Sequence, residues 1–258
     1  MPLTRNPQPE IMIKLSTIPT ISPKDLKKKS IKKEMNDLLE ELEDLQYLLN
    51  AEGKYSLLVV LQGMDASGKD GITKKVFGAC MPSGISVTSF RKPTDEEFAH
   101  DFLWRIHKEA PRKGMIKIFN RSHYEDVLIQ RVHKWIDEER VDKRIAAINA
   151  FEDLLAFDNN TIVLKFYLHL SKEQQEIELQ QRIDEKEKNW KHNDGDWKER
   201  KHWDEYMRCY EDLINRCTTP WHIIPMDERW YGQYLVVKKT VEILKGLNMK
   251  FPALEREE

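Results

Sequence analysis

The sequence predicts an α/β domain organised around a parallel sheet, and three observations predict it. Short apolar runs rich in Val, Ile and Leu alternate with segments of helical periodicity, the pattern of parallel strands joined by crossover helices. The first of these runs passes directly into a glycine-containing loop and then the start of a helix. At 258 residues and 40% hydrophobic content, the chain can bury the core of one large domain.

The elements follow in order. Residues 1–21 hold four prolines and little periodicity, and predict an arm. Ser22 suits an N-cap with Pro23 at the first helical position, so a helix is predicted from there to Ala51, with Gly53 just beyond its end. Its apolar positions Met35, Leu38, Leu39, Leu42, Leu45, Leu48 and Leu49 recur at helical spacing. The lysine-rich start (Lys24, Lys27, Lys28, Lys29, Lys32 and Lys33) could touch polyanions, but reads more simply as a solvated face. The run Leu57–Leu61 is the first strand, and after the glycine loop Thr73 to Cys80 continues a helix. Ile85–Phe90 reads as the second strand. Thr94 with Glu97 forms a capping box that opens a helix predicted to run through Ala110. Met115–Phe119 is the third strand, and helical segments fill most of residues 123–158. Thr161–Leu168 is the fourth strand, followed by Ser171 as the cap of a helix to about Ile183. Trp221–Pro225 is the fifth strand, and a last helix covers about residues 231–247. No internal repeat or low-complexity linker interrupts this series, so residues 22–258 read as a single domain after the arm.

Composition narrows the function. The net charge of −2 argues against nucleic acid or an anionic membrane as a global partner, and any basic site must be local. Cys80, Cys209 and Cys217 have neither metal spacing nor even pairing, and suit a reducing cytoplasm. No apolar run approaches the ~18 residues of a membrane helix, and the N-terminus lacks the apolar core of a secretory signal. A cytoplasmic location is expected.

The chemistry is concentrated in three places. Gly63, Gly68 and Lys69 fit the G-x-x-x-x-G-K core of a phosphate-binding loop. Glycines let such a loop turn its N–H groups inward, and the helix that follows adds its positive dipole end. The position after the lysine normally carries Ser or Thr for magnesium beside a nucleotide phosphate; here it is Asp70. A second acid, Asp65, lies inside the loop. A carboxylate in an anion cradle repels phosphate unless a cation lies between, so Asp65 is expected to help hold Mg²⁺ or to lie near the attacking oxygen. Asp70 is expected to face away at the first helical turn, where an acid suits the dipole. The phosphate donor is therefore not expected to be a nucleotide held in the ordinary way.

Ligands of open parallel sheets gather at the carboxyl ends of the strands. That rule points to Asp65, Arg91, Lys92, Asn120, Arg121 and Asp227. The polar run Asn120-Arg121-Ser122-His123-Tyr124-Glu125-Asp126 follows a buried strand, which favours Arg121 as a bidentate phosphate ligand over a surface ion pair. Nothing pairs His123 with a nucleophile, so it is a poor candidate base. The third place is the charged stretch from Arg182 through Lys188, Lys191, Lys198, Arg200 and Lys201 to Trp203. Between the fourth and fifth strands of a phosphotransferase, such an insertion suits a lid, placed here at about residues 182–205.

At these residues the chain resembles the polyphosphate kinase 2 family, and most of all its class III members. The resemblance lies in Gly63-Met64-Asp65-Ala66-Ser67-Gly68-Lys69-Asp70-Gly71, in Phe119-Asn120-Arg121-Ser122-His123-Tyr124-Glu125-Asp126, in His100-Asp101-Phe102-Leu103-Trp104-Arg105-Ile106-His107 and in Lys188-Asn189-Trp190-Lys191. It spans roughly residues 45–248. Met81-Pro82 replaces a usual Asn-Pro, and Lys186 sits where proline is common, which bears on how the lid is hinged. The resemblance implies a three-layer α/β/α P-loop kinase fold with a five-stranded parallel sheet and a helical lid. It implies reversible Mg²⁺-dependent phosphoryl transfer, with Mn²⁺ as the alternative ion, from inorganic polyphosphate to AMP and ADP, giving ADP and ATP. Other nucleotides are conceivable acceptors, and nucleic acid and membrane are not expected partners. A homo-oligomer is expected.

The candidate catalytic residues are Asp65, Lys69, Arg121 and Arg182, with Asp65 also the metal ligand. The candidate phosphate-binding set is Gly63, Ser67, Gly68, Lys69, Asp70, Gly71, Lys74, Arg131, Lys188 and Lys191. Arg121 and Glu125 are the nucleotide-binding candidates; the resemblance puts Glu125 near the acceptor, where other classes carry Asn. Three rivals remain. An ATP-dependent small-molecule or nucleotide kinase of the same fold would normally show Ser or Thr at position 70 and an acid at position 120. A non-catalytic nucleotide-binding module would not need a cationic lid. A polyanion- or RNA-binding protein working through the N-terminal lysines would interleave aromatics there, and this chain does not.

Overall fold

The computed structural model describes residues 12–254. Helix α1 (Lys28–Glu52) leads through Gly53, whose φ of 62° suits the left-handed turn, into strand β1 (Ser56–Gln62). Helix α2 (Lys69–Val76) and strand β2 (Ile85–Ser89) follow, then two short helices, α3 (Asp95–Ala99) and α4 (Trp104–His107). Next come β3 (Ile116–Asn120), α5 (Glu125–Val132), α6 (Glu138–Asn159) and β4 (Thr161–His169). The chain then forms α7 (Lys172–Asp184), a 3₁₀ turn (Lys186–Lys191), α8 (Asp194–Arg200) and α9 (Trp203–Arg216). Strand β5 (Trp221–Pro225) and helix α10 (Arg229–Gly246) complete it.

The five strands pair in the order β2-β3-β1-β4-β5, all parallel, as the alternation predicts. Strand β1 is central and fully buried, and its period of two divides the core. Leu57, Val59 and Leu61 face the layer of α1, α2 and α10. Leu58 and Val60 face α4, α5, α6 and α9. This is the expected three-layer α/β/α arrangement. It brings the carboxyl ends of β1, β3 and β4 together above one crevice.

Two helices depart from expectation. Helix α1 begins at Lys28, because Ser22 is engaged elsewhere: its N–H donates to Glu228 at 3.0 Å. Ser30 closes the first turn instead, its hydroxyl donating to the Lys27 carbonyl at 2.6 Å. The capping box at Thr94 forms, with Glu97 N–H to Thr94 Oγ1 at 3.2 Å and Thr94 N–H to Glu97 at 2.8 Å. The helix it opens does not reach Ala110. Asp101 accepts the Leu103 N–H at 3.0 Å, a local side-chain turn that competes with the helical ladder and separates α3 from α4. Residues 12–21 of the expected arm lie on the body of the fold. Leu15 is buried in the core, and the Ile13 backbone exchanges two hydrogen bonds with the Asn215 amide, at 2.7 and 2.8 Å. Residues 1–11 of that arm lie outside the described residues. No helix among the described residues is long and apolar enough to cross a membrane.

Candidate active site

The loop between β1 and α2 is shaped by its glycines. Gly63 has φ of 152°, and a Cβ there would meet the Leu168 carbonyl at 2.8 Å. Gly68 has φ of 98°, and a Cβ would strike the Arg229 guanidinium at 2.6 Å. Lys69 reaches back over this loop. Its ammonium donates to the carbonyls of Gly63 (2.8 Å) and Met64 (3.0 Å) and to the Ser67 hydroxyl (3.3 Å). Burial, and next the Arg121 guanidinium nearby, push its pKa down to about 8.

The end of β3 supplies the second wall. Arg121 sits in the left-handed region (φ 60°), a strained conformation for a side-chain-bearing residue, and its N–H is held by the Leu61 carbonyl at 3.1 Å. Its guanidinium meets Asp65 in a short ion pair. Burial works against its charge, but Asp65 and then Glu125 hold its pKa up. Asn120 donates to Asp70 at 2.7 Å, and Lys191 lies 3.7 Å from the same carboxylate. Asp70 therefore faces the crevice rather than away from it, because Asn120 draws it there.

The segment from α7 to α8 closes the third side. Arg182 is fixed by Asp196 (2.6 Å) and the Lys191 carbonyl (3.2 Å). Lys188 contacts Gln181 and Glu185, each at 2.8 Å. Burial, and then the Asp65 carboxylate, raise the pKa of Asp196 against the pull of Arg182. Together these walls enclose a cavity of about 560 Å³. Of the sequence candidates, Asp65, Ser67, Gly68, Lys69, Asp70, Gly71, Arg121, Arg182, Lys188 and Lys191 line it. A second cavity of about 520 Å³ adjoins it, sharing Ser89, Phe90 and Arg91 and lined further by Lys92, Trp104, Arg105 and Lys108.

The remaining candidates sit elsewhere. Gly63 lies beneath the loop and offers only its carbonyl to Lys69. Lys74 is exposed on α2, outside the cavity wall. Arg131 is consumed by Glu138 (2.9 and 2.5 Å) and Asp212 (2.6 Å), away from the crevice. Glu125 accepts from Gln62 at 3.0 Å and lines neither cavity. Asp227 accepts the Ser171 N–H at 2.8 Å and the Thr20 hydroxyl at 2.7 Å, so it joins backbone elements. His123 is fully buried and stays neutral: burial lowers its pKa against the pull of Glu152.

Sequence reasoning passed over Arg229. From the start of α10 it donates to the carbonyls of Ala66 (2.5 Å) and Ser67 and pairs with Glu178 on α7 at 3.1 Å. It thereby engages two carbonyls of the loop at the cavity wall, which it also lines. Its one sequence signal is its place two residues beyond Asp227, just past the carboxyl end of the fifth strand.

No group of three or more His, Cys, Asp or Glu side chains among the described residues could hold a metal ion alone. The geometry still fits a cation shared with a ligand. One Asp65 oxygen takes Arg121, and its other carboxylate oxygen accepts from no described residue. One or two carboxylates plus substrate phosphates is the usual way proteins hold Mg²⁺.

Residues 25–252 match the family model for polyphosphate kinase 2. The chain is 49% identical over 217 residues to the AMP/ADP-polyphosphate phosphotransferase of Meiothermus ruber, covering 83% of this chain and 81% of that protein. It is 39% identical over 229 residues to the ADP-polyphosphate phosphotransferase of Rhodopseudomonas palustris, covering 83% and 79%. Its fold matches the crystal structure of polyphosphate kinase 2 from Arthrobacter aurescens TC1 with a TM-score of 0.91 at 39% identity, over 95% of this chain and 90% of that one.

Proposed function

The chain belongs to the polyphosphate kinase 2 family, and on that premise we propose that it transfers the terminal phosphoryl group of inorganic polyphosphate to AMP and to ADP, reversibly and with Mg²⁺. A phosphate oxygen of the nucleotide attacks the terminal phosphorus. The bond from that phosphorus to the chain oxygen breaks, and the polymer leaves one unit shorter. The observation that carries this reading is the convergence of Lys69, Arg121, Arg182, Lys188 and Lys191 on one cavity, in a chain of net charge −2. Such a site suits a local polyanion. The attacking oxygen is already ionised at neutral pH, so no general base is required, which agrees with a neutral, buried His123.

The residues divide the work. The loop N–H groups and Lys69 hold phosphate oxygens, and Arg229 offsets the partial negative charge of the Ala66 and Ser67 carbonyls. Arg121 and Arg182 stabilise the charge that spreads over the transferring group. Asp65 and substrate phosphates would hold Mg²⁺, which screens their mutual repulsion. The α7–α8 segment serves as the lid, and the second cavity, with Trp104 and Phe90 on its wall, takes the nucleoside of the acceptor. The test supplies AMP, Mg²⁺ and polyphosphate without ATP and follows nucleotides by chromatography. ADP should appear first and ATP second. Turnover only with ATP as donor would favour an ordinary nucleotide kinase, and binding without turnover a regulatory module.

Two further outcomes are expected. Lys69 loses its proton as pH rises through about 8, so kcat/KM, which reports the free enzyme, should fall along an alkaline limb there. A bound polyanion favours the ammonium, so kcat should hold to higher pH. A pH profile of kcat/KM that stays flat well above that limb would remove Lys69 from the phosphate. Neutralising Lys188 and Lys191 together should raise KM for polyphosphate by roughly tenfold, on the order of 1.4 kcal/mol, and leave KM for nucleotide within a factor of about two. Equal losses for both substrates, measured in the same steady-state assay, would place these lysines outside the donor's path.

A further inference from the structure

We propose that the lysine-rich start of α1 is an external track for long-chain polyphosphate, continuous with the rim of the active-site crevice. The inference rests on the polyphosphate reading above. Lys24, Lys27, Lys28, Lys29, Lys32 and Lys33 are all exposed. None of them pairs with an acid among the described residues, whereas eight other lysines of the chain do.

Their placement works against the helix. The first turn of α1 contains no acid, and Lys28 and Lys29 sit at its positive dipole end. Lys28 with Lys32, and Lys29 with Lys33, are like charges one turn apart, which repel. The acids of α1 begin only at Glu34. A helix arranged for its own stability would reverse that order. Local rules broken without local compensation are characteristic of functional positions. An anionic polymer lying along this turn supplies the missing counter-charge. The solvated-face reading of the sequence accounts for exposure but not for six lysines set against a single acid, Asp25, at this end.

The fold brings these cations to the crevice. Helix α1 ends at the turn into β1, so its start lies at the carboxyl edge of the sheet, where α2 and α10 also begin. Helices α1 and α10 pack side by side in parallel: Glu34 meets the Tyr234 hydroxyl (2.8 Å) and Lys238 (3.0 Å), and Glu41 meets Lys245 (2.6 Å). Carrying this register back along both helices sets Lys28 level with Trp230. Its neighbour Arg229, with Gln233, lines the cavity. The Ser22–Glu228 hydrogen bond pins the approach to α1 at the same level. The axis of α1 at Lys28 thus runs about one helix width, ~10 Å, from that of α10 beside the cavity wall. A chain too long for the cavity would pass over the lysines.

The chemistry favours polyphosphate over nucleic acid. Residues 24–33 contain no aromatic side chain on which a base could stack. Lysines are mobile point charges that hold successive phosphates without fixing register, as a sliding polymer needs.

The test replaces all six lysines by Gln in the full chain, with AMP as acceptor. KM for polyphosphate of hundreds of units should rise roughly tenfold, with a shallower dependence on salt. KM and kcat with linear hexaphosphate should stay unchanged, since that donor fits within the crevice. Fluorescence polarisation of labelled long-chain polyphosphate should show the same loss of binding. The track is overturned if long-chain KM moves less than twofold, or if hexaphosphate responds as strongly. Polyadenylate competing for the unaltered protein better than long-chain polyphosphate would also overturn it, by assigning the lysines to nucleic acid. Absence of any turnover from polyphosphate of either length in the unaltered protein would instead overturn the reaction itself, leaving the polarisation comparison to judge the track.

Discussion

Replacing Asp65 by Asn should leave the fold intact and reduce kcat by roughly 10³-fold, about 4 kcal/mol of transition-state stabilisation. The substitution is isosteric, and the Asp65–Arg121 pair is partly solvated, with side chains 19% and 39% exposed. A pair in that setting contributes about 1 kcal/mol or less to stability. The kinetic loss has two sources that act on the same phosphates. On the proposed mechanism Asp65 orients Arg121, with which it pairs, and would share Mg²⁺ with them. Raising Mg²⁺ should therefore not restore kcat, and adding Arg121→Ala should cost much less than the two single losses multiplied together. Circular dichroism and thermal melting establish that the variant folds. A kcat near that of the unaltered protein at saturating Mg²⁺ would remove both roles from Asp65.

The candidate site was legible in the sequence where its determinants are local. A buried strand, two glycines and a lysine within seven positions define the loop, and the polar run at residues 120–126 marks the end of β3. The strands were readable because a parallel sheet buried on both faces forces continuous apolar runs. What escaped is non-local. Arg229 acts on carbonyls more than 160 positions away. The start of α1 depends on a hydrogen bond between Ser22 and Glu228, separated by 206 positions. Arg131 carries the residue type of a phosphate ligand, but Glu138 and Asp212 fold over to claim it. Asp70 was assigned outward by a helix-dipole argument that is sound for an isolated helix. Asn120, brought beside it by the pairing of β3 with β1, overrides that preference. Burial outweighs the pull of Glu152 on His123, and nothing local in the sequence announces that burial.

A second large effect is expected in the buried core. Lys165 is fully buried on β4, donating to Glu152 at 2.7 Å and to the Tyr124 hydroxyl at 2.6 Å, with its ammonium 5.0 Å above the Trp221 ring. Tyr124 in turn donates to Glu152 at 2.6 Å. This cluster lies under the segment that carries Arg121, only three residues before Tyr124. Replacing Lys165 by Met should cost about 3–5 kcal/mol, because the Glu152 carboxylate is left buried without a cation. For a domain of this size that corresponds to a fall in Tm on the order of 10 °C. Pairing the change with Glu152→Leu should recover much of the loss, since exchanging a whole buried pair for apolar groups is often neutral. The pH dependence separates this account from a simple packing defect. In the unaltered protein the carboxylate is held down at about 2, burial opposing its charge but Lys165 outweighing it. It therefore adds stability above the ordinary value of 4.5 that is lost as pH falls from there toward 2. In Lys165→Met the same carboxyl has lost its cation, so burial raises its pKa above the unfolded value and protonation relieves the strain. The gap in Tm between the two proteins should consequently narrow as pH is lowered from 7 toward 5, and the paired variant should show no such narrowing. A gap that stays constant across this range would mean that the lysine contributes packing volume alone.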